Sequence, residues 1–96
     1  YVFFPGTCAQ AIAFYQQALG AELLMPPMLF RDSPDPVPPG LLPPGWEDKI
    51  MHCSLRIAGG RLMVSDGNSE TNAPMHGFSL SLSYPSQAQA HAAFAA

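Results

Sequence analysis

The clearest pattern of hydrophobic and polar positions lies in residues 50–66, IMHCSLRIAGGRLMVSD, where apolar and polar side chains alternate on either side of a glycine pair. Such alternation predicts a β-hairpin, with Gly59-Gly60 supplying the positive φ angles that a two-residue turn needs. That turn sets Ile57 opposite Leu62, Leu55 opposite Val64 and Cys53 opposite Asp66, with Met51 further along the same apolar side. The other side carries Arg56 with Met63, Ser54 with Ser65, and His52 beside Gly67. One face calls for a core. The other, small and polar with one imidazole, suits the floor of a cavity.

The same reading extends in both directions. Residues 1–4, YVFF, form a short apolar strand stopped by Pro5-Gly6. Thr7 followed by Gln10 has the T-x-x-Q spacing of a capping box, so a helix begins there. Cys8, Ile12, Tyr15 and Leu19 recur at helical spacing, and Gly20 closes the helix. A strand over 21–25 is interrupted by Pro26-Pro27, which marks an edge or a bulge, and resumes over 28–31. Residues 32–45, DSPDPVPPGLLPPG, make a stiff, polyproline-like loop of the kind used as a lid or binding loop, or left disordered. Trp46 ends it, next to Glu47-Asp48. After the hairpin and a polar loop over 67–76, residues 78–84 alternate strictly, with Phe78, Leu80, Leu82 and Tyr84 on one side and Ser79, Ser81 and Ser83 on the other. This predicts a last strand. Ser86 caps an alanine-rich helix still running at Ala96, so the chain reads as a fragment.

Composition removes several classes of function. Ninety-six residues, 48% of them hydrophobic, describe one globular domain or part of one. The net charge is −3 and the only fixed cations are Arg31, Lys49, Arg56 and Arg61, so no basic patch exists for nucleic acid. No apolar run approaches the ~20 residues of a membrane span. Cys8 and Cys53 are too few for a disulfide framework, which sets a reducing cytoplasm as the expectation. The serines lack a G-x-S-x-G elbow and a His–Asp partnership. No glycine-rich nucleotide loop follows the first strand.

The candidates for chemistry each carry a plainer reading. His52 could orient a ligand or act as a base near neutral pH, or be a hydrogen-bonded strand histidine. Ser54 and Ser65, with the 79/81/83 row, could line a small hydrophilic cavity or form the solvated face of a sheet. Arg56 suits an anionic ligand through bidentate pairing, or else pairs with Glu47 or Asp48. Met63 would make an apolar cavity wall. Trp46 folds over a cavity mouth or pins the loop to the sheet. Cys8 at a helix start has either a lowered pKa or the role of a small buried hydrophobe. Asp66-Gly67 terminates a strand, with the carboxylate on the core side unless a bulge intervenes.

The run AIAFYQQALGAE at 11–22 resembles the first helix and turn of the vicinal oxygen chelate superfamily, which includes glyoxalases, bleomycin-resistance proteins and dioxygenases. The runs GWEDKIMHCSLRIAGGRLMVSDG and GFSLSLS are similar to its PhnB-like branch. The resemblance implies an α+β fold, a βαβββ module of a glyoxalase-type curved mixed sheet with helices on one face, followed by an incomplete second module. Residues 1–67 would be the first module, and 68–96 a linker with the opening strand and helix of the second. Metal-dependent members place a His in the first strand and a Glu on the cavity side of the strand after the hairpin turn. Here those places hold only Tyr1, Val2, Phe3 and Phe4, and then Met63 and Ser65. A catalytic metal takes about three protein ligands, and this segment offers His52 alone, so no metal is expected from this segment alone and the cofactor of the whole protein stays open. The implied function is small-molecule binding through His52, Ser54, Arg56, Met63, Ser65 and Trp46. Two alternatives stand beside it: a metal-dependent lyase, isomerase or dioxygenase with ligands from elsewhere, and a structural dimerisation module. A homodimer is the expected partner state, because a half-built second module leaves an edge exposed.

Overall fold

The structure, a computed structural model, describes residues 1–33, 43–67 and 76–96. In chain order the elements are β1 (Val2–Phe3), α1 (Cys8–Leu19), β2 (Glu22–Leu23), β3 (Met28–Leu29), β4 (Ile50–Ile57), β5 (Gly60–Ser65) and α2 (Gln87–Ala95), with single 3-10 turns at Phe30–Asp32 and Trp46–Asp48. The strands form a curved mixed sheet in the order β1-β5-β4-β2, and β3 pairs further along β4. The β1–β5 pair is parallel and the others antiparallel. The fold is α+β. Most of the proline-rich loop and of the polar loop after Gly67 lies outside the described residues.

The sheet has two unlike faces because β4 alternates. Cys53, Leu55 and Ile57 point to α1 and are buried, as is Val64 from β5. Each large aliphatic side chain so buried contributes about 1.5–3 kcal/mol. Helix α1 answers with the predicted stripe: Cys8 and Ile12 are buried, and Tyr15 and Leu19 pack at the margin. Gly20 adopts the left-handed conformation (φ 65°) and closes the helix. On α2, Ser86 caps the N-terminus by accepting a hydrogen bond from the Gln89 amide, and no residue of that helix is buried.

Four expectations are corrected. The hairpin turn is Ala58-Gly59, at φ 51° and 81°, and not Gly59-Gly60. Leu55 therefore faces Leu62, Cys53 faces Val64, Ser54 faces Met63 and Arg56 faces Arg61. A slip of two residues keeps every side chain on its face and changes only its partner. With the turn one residue later, Asp66 would have faced Cys53 inside the core. The observed register gives that place to Val64 and carries Asp66 beyond the ladder, at the cost of a left-handed alanine.

The second correction concerns Thr7, whose side chain makes no cap hydrogen bond, so the capping box does not form. The third concerns the interrupted strand, which is far shorter than 21–25 and 28–31. Leu23 lies opposite Leu55 and Met28 opposite His52, so five steps along one strand span three along the other, and the Pro26-Pro27 segment is looped out. Phe30–Asp32 then turns away from the sheet. The fourth is the 78–84 strand. Alternation gives strand propensity, but no described strand offers residues 78–83 a ladder, and a strand without one does not persist.

Candidate functional site

The face of the sheet turned away from α1 collects residues from three strands. His52 and Ser54 of β4 are half-buried there and Arg56 is exposed, with Met63 of β5 half-buried beside Ser54. The parallel pairing of β1 with β5 sets Phe3 beside Ser65, which brings Phe3 and Tyr1 to the same face. At the other edge Met28 stands opposite His52 and Leu29 opposite Ile50, so one step of β3 spans two of β4. This bulge at Met51 breaks the alternation and sends Ile50 into the core, leaving His52 on the open side.

Tyr1 and His52 form the polar centre of this face. The Tyr1 hydroxyl and His52 Nδ1 are 2.8 Å apart. The Tyr1 ring stacks on Phe3 at 4.9 Å between centroids and lies 5.6 Å from the imidazole. Burial first, then the electrostatic influence of Cys8, raise the Tyr1 phenol above its ordinary pKa, so it stays a donor at neutral pH. When it donates to Nδ1, the imidazole keeps its proton on Nε2 and presents a second donor. Tyr1 and Phe3 nonetheless remain more than half exposed, at 55% and 59%. An uncovered pair of aromatic rings beside a half-buried imidazole is a surface on which a ring or an acyl chain can lie.

Other predicted residues have different employment. The Ser65 hydroxyl donates to the Ile50 carbonyl and accepts from the Gly67 amide, so it serves the backbone. Trp46 is buried and does not join the His52 group. Its Nε1 donates to the Gly67 carbonyl at 2.7 Å, and its ring rests against Gly6, where any β-carbon would come within 3.3 Å. It pins the end of the loop. Arg56 pairs with neither Glu47 nor Asp48, because Asp48 is held by Arg31.

Asp66 is on the core side, buried, and bridges two elements. One carboxylate oxygen accepts from the Cys8 amide at 2.8 Å and the other from the Ile50 amide at 2.8 Å. A carboxylate from the end of β5 thus caps α1 in place of Thr7, where the helix dipole favours negative charge. The same arrangement settles the state of Cys8. Burial first, then Asp66 and Cys53, push its thiol from 9.0 up to about 12, the reverse of an activated helix-terminal cysteine. Among the described residues no three of His, Cys, Asp and Glu converge as a metal would require.

Sequence reasoning passed over Tyr1, Phe3 and Arg61. The signal for Arg61 was available, since it alternates with Met63 and Ser65. Tyr1 and Phe3 needed the pairing of β1 with β5, which no local pattern reveals. A half-open groove of about 580 Å³ lies at the hairpin-turn end, between Tyr15 and Leu19 of α1, Ile57, Arg61, Leu62 and the 80–83 segment. It does not include the His52 group.

Comparison with known proteins adds two relatives. The chain is 40% identical to Protein YjdN of Escherichia coli (strain K12) over 88 residues, which cover 85% of this chain and 58% of that protein. It also resembles the crystal structure of protein PA1353 from Pseudomonas aeruginosa, with a TM-score of 0.73 and 35% sequence identity, over 99% of this chain and 66% of that one. The chain therefore spans 58% of the length of the first relative and 66% of that of the second. No family model matches the sequence. No helix among the described residues is long and apolar enough to cross a membrane.

Proposed function

We propose that this chain belongs to a vicinal oxygen chelate protein of the PhnB-like branch, and that it binds a small molecule against the face bearing Tyr1, His52, Ser54 and Met63. The observation that carries the reading is the sidedness of the sheet. One face is closed by α1, while the other presents a tyrosine–histidine pair, a hydroxyl and a thioether, with His52, Ser54 and Met63 half-buried beside the exposed rings of Tyr1 and Phe3. Mostly apolar walls with a few placed donors are the usual make-up of a ligand site. On this reading His52 orients the ligand through Nε2, and no ion is held by this segment's own side chains.

The test uses full-length protein purified without chelator, in two measurements. Metal analysis is expected to find less than stoichiometric Zn, Ni, Mn or Fe. A thermal-shift panel of small aromatic and aliphatic acids, alcohols and amides is expected to yield compounds that stabilise the wild type and not His52→Ala. Stoichiometric metal would overturn the metal-free reading in favour of a lyase, isomerase or dioxygenase whose ligands come mostly from outside this segment. A panel without a His52-dependent ligand would overturn binding at this face.

The reading extends to a cytoplasmic homodimer. Support for the compartment is the pair of buried cysteines that form no disulfide, Cys8 and Cys53. Support for association is the 78–84 segment, where Phe78, Leu80 and Leu82 are 57%, 57% and 43% exposed and have no strand beside them. Light scattering on the full-length protein is expected to give a dimer, and a monomer at micromolar concentration contradicts it. If another chain of the dimer covers the His52 face completely, the module is structural and binds no small molecule there.

A further inference from the structure

The chain has four fixed cations, all within the described residues. Arg31 is paired with Asp48, and the Lys49 ammonium donates to the Gly6 carbonyl at 3.0 Å. The other two, Arg56 and Arg61, lie directly opposite one another across β4 and β5, on the same face as His52 and Ser54. Glu22 stands opposite Arg56 on β2 yet makes no ion pair with it, and neither guanidinium has a hydrogen-bond partner among the described residues. Like charges placed directly across a strand pair destabilise it. An acidic chain that sets its two uncommitted cations against each other holds a local repulsion that a bound anion would relieve.

We infer that Arg56 and Arg61 together form the site for an oxyanion group, a phosphate or a carboxylate, on a small-molecule ligand. The inference rests on the ligand-binding reading above and deepens it by naming the class of head group. Two planar guanidiniums carried by directly opposite residues offer N–H forks, which match the oxygens of phosphate and carboxylate. His52, Ser54 and Arg56 recur every second residue along one strand, so a row of donors about 13 Å long runs from the imidazole to the arginine pair. A ligand of this shape places its apolar part by Tyr1 and Phe3 and its charge by the hairpin turn.

The experiment titrates isotope-labelled full-length protein with inorganic phosphate, then with acetate, at ionic strength held constant by NaCl. The readout is the side-chain Nε–Hε resonances, assigned through Arg56→Gln and Arg61→Gln. Both side chains are exposed, so neither variant disturbs the core. Saturable shifts of both guanidiniums are expected with at least one of the two anions, and apparent affinity falls at least tenfold in either variant. In chloride buffer Arg61→Gln melts above the wild type, and phosphate raises the melting temperature of the wild type alone. Shifts no larger than those NaCl produces, or shifts that persist in the double variant, overturn the site. So does protection of the pair from phosphate by an acidic side chain of the protein itself. Neutral ligands that depend on His52 while phosphate leaves the arginines unmoved overturn this inference and leave the binding reading intact. Phosphate binding at the pair with no ligand ever touching His52 does the converse.

Discussion

Replacing Asp66 by asparagine removes a charge and one acceptor while keeping the size of the side chain. In the native chain its two oxygens accept from the Cys8 and Ile50 amides, both at 2.8 Å, at a site that is 2% exposed. Asparagine keeps one acceptor and turns an NH2 group towards the other amide, stranding a buried N–H at a cost of about 1–3 kcal/mol. Losing the negative charge at a helix N-terminus adds about 0.3–1 kcal/mol. The expected loss is therefore about 1–4 kcal/mol, against the 5–15 kcal/mol that typically holds a domain together. Thr7→Ala is the control. A working N-cap is worth about 0.5–2 kcal/mol, but the Thr7 side chain bonds to nothing at the cap, so its loss is expected below about 0.5 kcal/mol. Urea unfolding followed by far-ultraviolet circular dichroism, on full-length protein at neutral pH, measures both. If Asp66→Asn costs no more than Thr7→Ala, the carboxylate is not what holds α1 to the sheet, and the reasoning fails.

The remaining predictions concern the turn, the pin and the thiols. Ala58→Asn is expected to stabilise the hairpin by about 0.5–1 kcal/mol in the same assay, because asparagine followed by glycine suits positive φ at both turn positions, and Gly59→Ala to destabilise it by about 1–2 kcal/mol. Trp46→Phe keeps a ring against Gly6 and loses only the bond to the Gly67 carbonyl, so a loss of about 1 kcal/mol is expected, against about 3–5 kcal/mol for Trp46→Ala. Cys8 and Cys53 both have raised pKa values, Cys8 about 12, so a thiol reagent at pH 8 is expected to label them only after unfolding. Because the unfolded chain releases these protons near the ordinary value and the folded chain holds them, stability is complete below pH 9 and falls as pH rises from about 9 towards 12. The slope is at most about 1.4 kcal/mol per pH unit for each thiol.

Much of this arrangement was legible in local pattern. The hairpin, the two faces of β4, the buried stripe of α1, the Gly20 and Ser86 caps and the break at Pro26-Pro27 all follow from periodicity and backbone preference. What escaped depended on distant parts of the chain. The turn could sit at Ala58-Gly59 or at Gly59-Gly60 without moving a side chain to the wrong face, and the choice fell to where Asp66 must end. Thr7 had the spacing of a cap, yet its side chain makes no cap hydrogen bond, and the first amide of the helix, that of Cys8, is satisfied by a carboxylate 58 residues away. Residues 78–84 had the alternation of a strand and no strand to join. The site divides in the same way. His52, Ser54, Arg56 and Met63 share a face as alternation requires, whereas Ser65 and Trp46 are taken up by Gly67, and Tyr1 arrives only through the parallel pairing of β1.

The most direct measurement is the position of a bound ligand. A compound from the stabilising panel, soaked into crystals of the full-length protein, is expected to lie over β4 and β5 with a polar atom within hydrogen-bond distance of His52 Nε2 and its apolar part against Met63 and Tyr1. Density instead in the groove beside Tyr15 and Leu19, or a His52 face filled by protein with no room for a ligand, would contradict the account.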